Sequence, residues 1–257
     1  MSDLVDRTIS ALRAEHDILL ALIPNIPDDA LTGPSGAADW TIAQTLSHLG
    51  SGAEISRKPI ARAAGLAVDE EDNQAVWARW DGSSPIDQAA GFVGHDTAYL
   101  ETVEGLTPEQ RSALVVDLGF LPEPVPVAVA LAMRLNEVAN HSWDVRVGLD
   151  PDAEVTAQSA EVLVELFAGP LAFLLGFAAK PDQVAEPVRL GVPGGGVVVG
   201  EGVVVVTELA DATAKLSGAE GATVRLLSGR LKAPYDGAVS VDGNVSLDEL
   251  RAVFPGY

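Results

Sequence analysis

Glu137 and His141 stand four residues apart in the segment Asn136-Glu137-Val138-Ala139-Asn140-His141-Ser142-Trp143-Asp144. On an α-helix that spacing stacks two side chains on one face, so a carboxylate oxygen would lie beside an imidazole nitrogen. Both are ordinary ligands for a divalent transition metal. The plain alternatives are a polar pair on a half-exposed helix face and a histidine satisfied within the core. A catalytic zinc takes three protein ligands and keeps a fourth position open, so a third donor must come from another element. The chain has 4 histidines. His16 follows Glu15 on a charged stretch and reads as solvated. His95 precedes Asp96 and is a usable donor. His48 stands among apolar and small residues (Leu46, Leu49, Gly50, Gly52), which suits a bundle interior better. His48, Glu137 and His141 are therefore the expected metal ligands. Asp144, three residues past His141, and Asn140 are candidates to accept the second ring N–H of a metal-bound histidine. Asp144 reads equally well as the partner of Arg146 or Arg134. A metal so held would lower the pKa of a bound water or thiol.

The elements that must position these groups follow from periodicity. Residues 4–23 have apolar residues at helical spacing, ended by Pro24 and Pro27. A second helix starts near Trp40-Thr41, with Thr41 as its cap, and runs toward Ala64 with Pro59 as a kink or break. Residues 66–84 read as acidic and irregular, with Trp77 and Trp80 either lining a cleft or pinning a loop. A third helix is expected over 85–103, with Ile86, Ala90, Val93 and Tyr99 inward. Thr107-Pro108-Glu109-Gln110 opens a short turn or helix. A fourth long helix runs over 125–147 and is stopped by Gly148. Four long helices in residues 1–149 predict a four-helix bundle, in which metal sites are built from facing helices.

From residue 150 the composition changes. One apolar helix is expected over 155–178. Strands are expected at 188–190, 196–199, 202–207, 212–216 and 238–241, and helices at 223–231 and 246–254. The Pro193-Gly194-Gly195-Gly196 stretch lacks a following helix, Lys or Ser/Thr and reads as a hairpin or loop rather than a phosphate site. The expected fold class is α+β, with a helical unit 1–149 followed by a small α+β unit 150–257.

Composition removes several function classes. The 257 residues include no cysteine, so disulfides, Cys-bound zinc and a cysteine nucleophile are excluded, and any thiol chemistry needs a small-molecule thiol. A net charge of −21 opposes nucleic acid and anionic membrane surfaces. A mean hydropathy of +0.22 leaves ample apolar material for a core. The N-terminus lacks the pattern of a signal peptide and no apolar run is long enough to span a bilayer, which leads to the expectation of a cytoplasmic protein. No Ser-His-Asp order, Walker loop or dinucleotide fingerprint competes with the metal reading.

Trp40-Thr41-Ile42-Ala43-Gln44-Thr45-Leu46-Ser47-His48-Leu49 resembles the second-helix motif of the DinB-like superfamily. The segment from Glu137 to Val145 resembles the fourth-helix motif of its mycothiol-dependent maleylpyruvate isomerase branch, where Glu stands in place of the His of many relatives. Val224-Arg225-Leu226-Leu227-Ser228-Gly229-Arg230-Leu231, Val241-Asp242-Gly243-Asn244 and Val253-Phe254-Pro255-Gly256 resemble that branch's C-terminal domain, which is similar to sterol-carrier-type α+β folds. The resemblance implies a divalent metal, usually zinc, on His48, Glu137 and His141. It also implies mycothiol, the actinobacterial low-molecular-weight thiol, as cofactor. The implied reaction is addition of the mycothiol thiolate to the cis double bond of maleylpyruvate, rotation, and elimination to fumarylpyruvate. It further implies an arginine of the C-terminal domain, here taken as Arg230, holding a substrate carboxylate in a cleft; a surface arginine at a helix end is the plain alternative. The expected partners are a small-molecule substrate and the thiol, with no nucleic acid or membrane, in a monomer or homodimer. Thiol S-transfer, metal-dependent hydrolysis and non-catalytic ligand binding are the other functions compatible with these residues.

Overall fold

The computed structural model describes residues 2–236 and 238–256, and the chain divides into two compact units, Met1–Pro151 and Asp152–Tyr257. The first unit is helical. Its long helices are α1 (Ser2–Leu22), α2 (Ile42–Ala63), α4 (Pro85–Glu104) and α6 (Val127–Val147), with the shorter α3 (Asn73–Asp81) and α5 (Pro108–Ala113) between them. A two-stranded ribbon, β1 (Val115–Val116) with β2 (Val125–Pro126), leads into α6. Going around the bundle, α1 packs on α6, α6 on α2, α2 on α4, and α4 back on α1.

The helix starts are set by local chemistry. Thr41 caps α2 in a capping box with Gln44, and Thr107 caps α5 in the same way with Gln110. Pro59 lies inside α2 without ending it. The 66–84 segment is not wholly irregular: Asp72 caps α3, whose Trp80 is buried while Trp77 is exposed. Trp80 fits a slot made by two glycines, since a Cβ on Gly50 of α2 or Gly91 of α4 would run into its ring. Its indole N–H donates to Glu54. The inward face of α4 also differs from the expected one. Tyr99 is buried as expected, but Ile86 and Ala90 are exposed, and Phe92, Asp96 and Leu100 are buried. A charged residue lies on the buried face.

That residue is Asp96, and it corrects the reading of His16 as solvated. His16 and Glu15 are both buried. His16 Nδ1 lies 2.8 Å from Asp96 Oδ2. Arg134 Nη2 donates to Asp96 Oδ1 at 2.8 Å and to the carbonyl of Leu49 at 2.9 Å. Its guanidinium lies 5.4 Å from the centroid of the Tyr99 ring. One buried node thus joins α1, α2, α4 and α6.

The second unit is α+β. The expected single helix over 155–178 is two, α7 (Ala157–Phe167) and α8 (Ala172–Ala178), bent by 84° around Gly169-Pro170, where proline removes an amide donor. Among the described residues no single helix is long and apolar enough to cross a membrane. Five strands follow: β3 (Val188–Val192), β4 (Gly195–Val199), β5 (Val203–Val206), β6 (Ala214–Ser217) and β7 (Ser240–Gly243). Their order is β5-β4-β3-β6-β7, antiparallel except for the parallel β3–β6 pair. Pro193-Gly194 makes the β3–β4 hairpin turn, as expected. The unit is completed by α9 (Ala222–Leu227) and α10 (Leu247–Val253), the latter boxed by Ser246 and Glu249. The expected helix over 223–231 stops at Leu227. Gly229 takes φ +70°, and the amides of Gly229 and Arg230 turn back to Leu226 and Arg225. Residue 237, part of the connection into β7, lies outside the described residues.

The node predicts an acid response. Burial works to raise the Asp96 carboxyl, but the hydrogen bond from His16 and the charge and hydrogen bond of Arg134 outweigh it and hold it below the ordinary value of 3.8. A depressed folded pKa contributes stability above the unfolded value that is lost as pH falls through the folded one. Asp96→Asn is expected to lose about 3–5 kcal/mol at neutral pH, since it strands a buried cation. It should also lose less stability than the unmutated protein on further acidification below about pH 4. Denaturant unfolding across a pH series measures both.

Candidate metal centre

The helix α6 is apolar on most of its surface, yet Arg134, Glu137, His141 and Asp144 recur along it at three- and four-residue steps. That is the spacing of a core-facing seam. Arg134 goes to the buried node. The other three residues meet α2 and the loop that precedes it.

Glu137 stands between two imidazoles. Its Oε2 lies 3.1 Å from His48 Nε2 and 3.6 Å from His141 Nε2. One ligand atom from each of the three residues falls within 4.8 Å of the others. A tetrahedral ion with bonds of about 2.0–2.2 Å separates its donors by about 3.3–3.6 Å, so the residues present fit a small divalent metal. Glu137 and His48 remain 38% and 41% exposed, which leaves an open side for a further ligand, while His141 is 12% exposed. His141 Nδ1 lies 2.8 Å from Asp144 Oδ2, and Asp144 is buried. This contact directs the Nδ1 proton to Asp144 and turns Nε2 toward Glu137. Burial works to raise the Glu137 carboxyl, but hydrogen bonding to His141 and His48 and their charge outweigh it, holding the group well below its ordinary 4.5. It is therefore an anion at neutral pH.

The residues before α2 complete the wall. Pro34 bridges to Thr41, Ile42 N donates to Gly33 O, and Ser35 N and Oγ both donate to Trp40 O. Thr45 Oγ1 donates to Ser35 Oγ at 2.9 Å. This tight loop lays the Trp40 ring against His141 (centroids 5.7 Å, 23° between planes) and against His48 (5.0 Å, 48°). Gly36 N donates to Asp144 O at 2.8 Å, and a Cβ at Gly36 would meet Asp144 Oδ1 at 2.9 Å. Only glycine lets the loop lie that close to the residue that orients His141.

The structure brings together His48, Glu137, His141 and Asp144. It does not bring Asp144 to Arg134, which binds Asp96, and it turns Asn140 sideways to donate to Asn136 O at 2.8 Å. His95 is elsewhere: its Nδ1 is 3.4 Å from Glu54 Oε2, its ring is edge-on to Trp80, and burial outweighs Glu54 to hold its pKa below 6.5. Arg230 lies in the second unit, half-buried, three residues past the end of α9. Trp40 was present in the sequence motif, but nothing in its spacing signalled contact with both imidazoles.

Residues 12–146 match a family model described as the mycothiol maleylpyruvate isomerase N-terminal domain. Two uncharacterized proteins of Mycobacterium tuberculosis, from strains CDC 1551 / Oshkosh and ATCC 25618 / H37Rv, are each 27% identical over 158 residues. The match covers 62% of this chain and 72% of theirs. Among solved structures, a mycothiol-dependent maleylpyruvate isomerase superposes with a TM-score of 0.59 at 18% identity, covering 98% of this chain and 97% of that one. A histidine-to-alanine mutant of such an isomerase superposes with the same score at 17% identity. At these identities the structures establish a shared α+β fold.

Asp144→Ala removes the acceptor that orients His141. The variant is expected to fold and to bind zinc about 10–100-fold more weakly than the unmutated chain, as read by competition with a chromophoric chelator.

Proposed function

The chain belongs to the mycothiol maleylpyruvate isomerase N-terminal domain family, and on that premise we propose that it is a metal- and mycothiol-dependent enzyme of the maleylpyruvate isomerase type. The observation that supports this most is the convergence of His48 and Glu137, 89 residues apart in sequence, with His141 in a half-open donor set. His48, Glu137 and His141 would hold the metal, with zinc the best fit to two imidazoles and one carboxylate. The bound ion would supply a Lewis acid that lowers the pKa of a thiol at the open side.

The residues of this chain then have distinct tasks. Glu137 and the two histidines hold the donor geometry. Asp144 fixes the tautomer and ring plane of His141. Trp40 closes one flank of the imidazoles and keeps water from that side. Mycothiol is the proposed thiol, and the absence of cysteine in the chain is compatible with an external one. In the proposed reaction the thiol sulfur adds to the cis double bond of a small unsaturated oxo acid such as maleylpyruvate. The carbon–carbon bond, now single, rotates, and loss of the thiol restores the double bond as trans. Transfer of the thiol to another small electrophilic acid would use the same residues. Arg230 is proposed to hold a substrate carboxylate, for which the guanidinium fork suits two oxygens.

Purified protein is expected to contain about one zinc per chain, matching the one such donor set among the described residues, by elemental analysis. His48→Ala and Glu137→Ala should lose it while remaining folded by circular dichroism. Metal-free preparations of the unmutated chain, or turnover that persists without any thiol, would count against the proposal. Arg230→Ala is expected to lower kcat/KM for the carboxylate substrate by about 10–100-fold, the cost of a charge-assisted hydrogen bond, without changing zinc content.

A further inference from the structure

Arg134 is a buried cation outside the donor set, yet it touches both helices that carry the donors. Its Nη2 donates to Leu49 O, the carbonyl next to His48, and it stands one turn before Glu137 on α6. We propose that Arg134 is a positioning residue for the metal centre, fixing the axial register of α2 against α6 and thereby the separation of His48 from Glu137. The inference rests on the metal reading above and deepens it.

The physical need for such a clamp is large. A helix advances about 1.5 Å per residue, and metal–ligand distances tolerate about ±0.2 Å. A slip of α2 along α6 by one residue would carry the 3.1 Å His48–Glu137 contact beyond what one ion can bridge. The α2 side of this seam carries no side chain at Gly52, three residues past Leu49, to resist slipping. At Gly52 a Cβ would stand 3.0 Å from Arg134 Nη1, so the missing side chain is what lets the guanidinium cross the seam. Asp96 and Tyr99 of α4 hold the guanidinium from the far side, and His16 of α1 holds Asp96 in turn. The apolar seam brings the helices together, and the polar bond selects where along their length they meet.

Three variants of the full chain test this, with zinc affinity by chelator competition and the visible spectrum of the cobalt(II)-loaded protein as readouts. Gly52→Ala presses on the guanidinium while favouring the helix, since alanine is the better helix former. Arg134→Met removes the clamp. His16→Gln trims the node on the side away from Leu49. The expected result is zinc binding weakened about 10-fold or more in Gly52→Ala and Arg134→Met, with a shifted cobalt spectrum. His16→Gln should lower the unfolding midpoint while keeping zinc affinity within about twofold, because it spares the Leu49 contact. If Arg134→Met does not fold, Gly52→Ala decides. Gly52→Ala and Arg134→Met chains that bind zinc as the unmutated chain does, with its cobalt spectrum, overturn this inference alone. So does a His16→Gln chain weakened as much as they are. An unmutated chain that takes up no zinc overturns the metal reading and this inference together.

Discussion

A guanidinium buried among four helices is the constraint on which the first unit depends. Removing Arg134 and Asp96 from water is costly, and the cost is offset only if every helix delivers its partner on target. The chain meets that condition with His16 from α1, the Leu49 carbonyl from α2, Asp96 from α4 and Arg134 from α6. Apolar burial drives the helices together but is non-directional. The node is directional, and it lies one turn from Glu137. Geometry near the donors is therefore inherited from a charge arrangement that takes no part in binding.

The wall of the site is built by a different device. The α1–α2 loop is held to itself by backbone bonds and to α6 by the Gly36–Asp144 contact. Trp40 lies against both imidazoles from that loop, and Asp144 holds His141 from below. Loop, aromatic ring and second carboxylate thus restrain the His141 ring from more than one side, while His48 meets the same Trp40 ring. Such support is what separates a site that binds tightly from a cluster of residues that merely lie near one another.

Much of this was legible in sequence because it was local. Thr41 and Ser246 announced their caps, the 3.6-residue period gave the long helices, and Glu137 with His141 is a one-turn relation. The small and apolar neighbours of His48 point to a bundle interior. What was missed is non-local or depends on a face. His16 and Asp96 are 80 residues apart and Arg134 and Asp96 are 38 apart, so no window of sequence shows their pairing. His16 also follows Glu15, and a charged stretch reads as solvent-facing. The buried face of α4 includes that aspartate, and no apolar period marks it as inward. The available signal was on α6, where Arg134, Glu137, His141 and Asp144 keep core spacing in an otherwise apolar helix. In the second unit, Gly169-Pro170 marked the break between α7 and α8, and hydrophobicity on either side masked it.

The same α6 stripe has a consequence for how such a protein can change over time. Its four ionisable residues fall at the spacing of a core-facing seam, and each meets another polar group there: Arg134 meets Asp96, Glu137 meets His48, and His141 meets Asp144. Substituting Asp144 takes away the acceptor at His141 Nδ1, so a change at one position of the stripe is felt at its neighbour. Variation in what the protein acts upon is left to parts with fewer obligations, such as the connections around the rim.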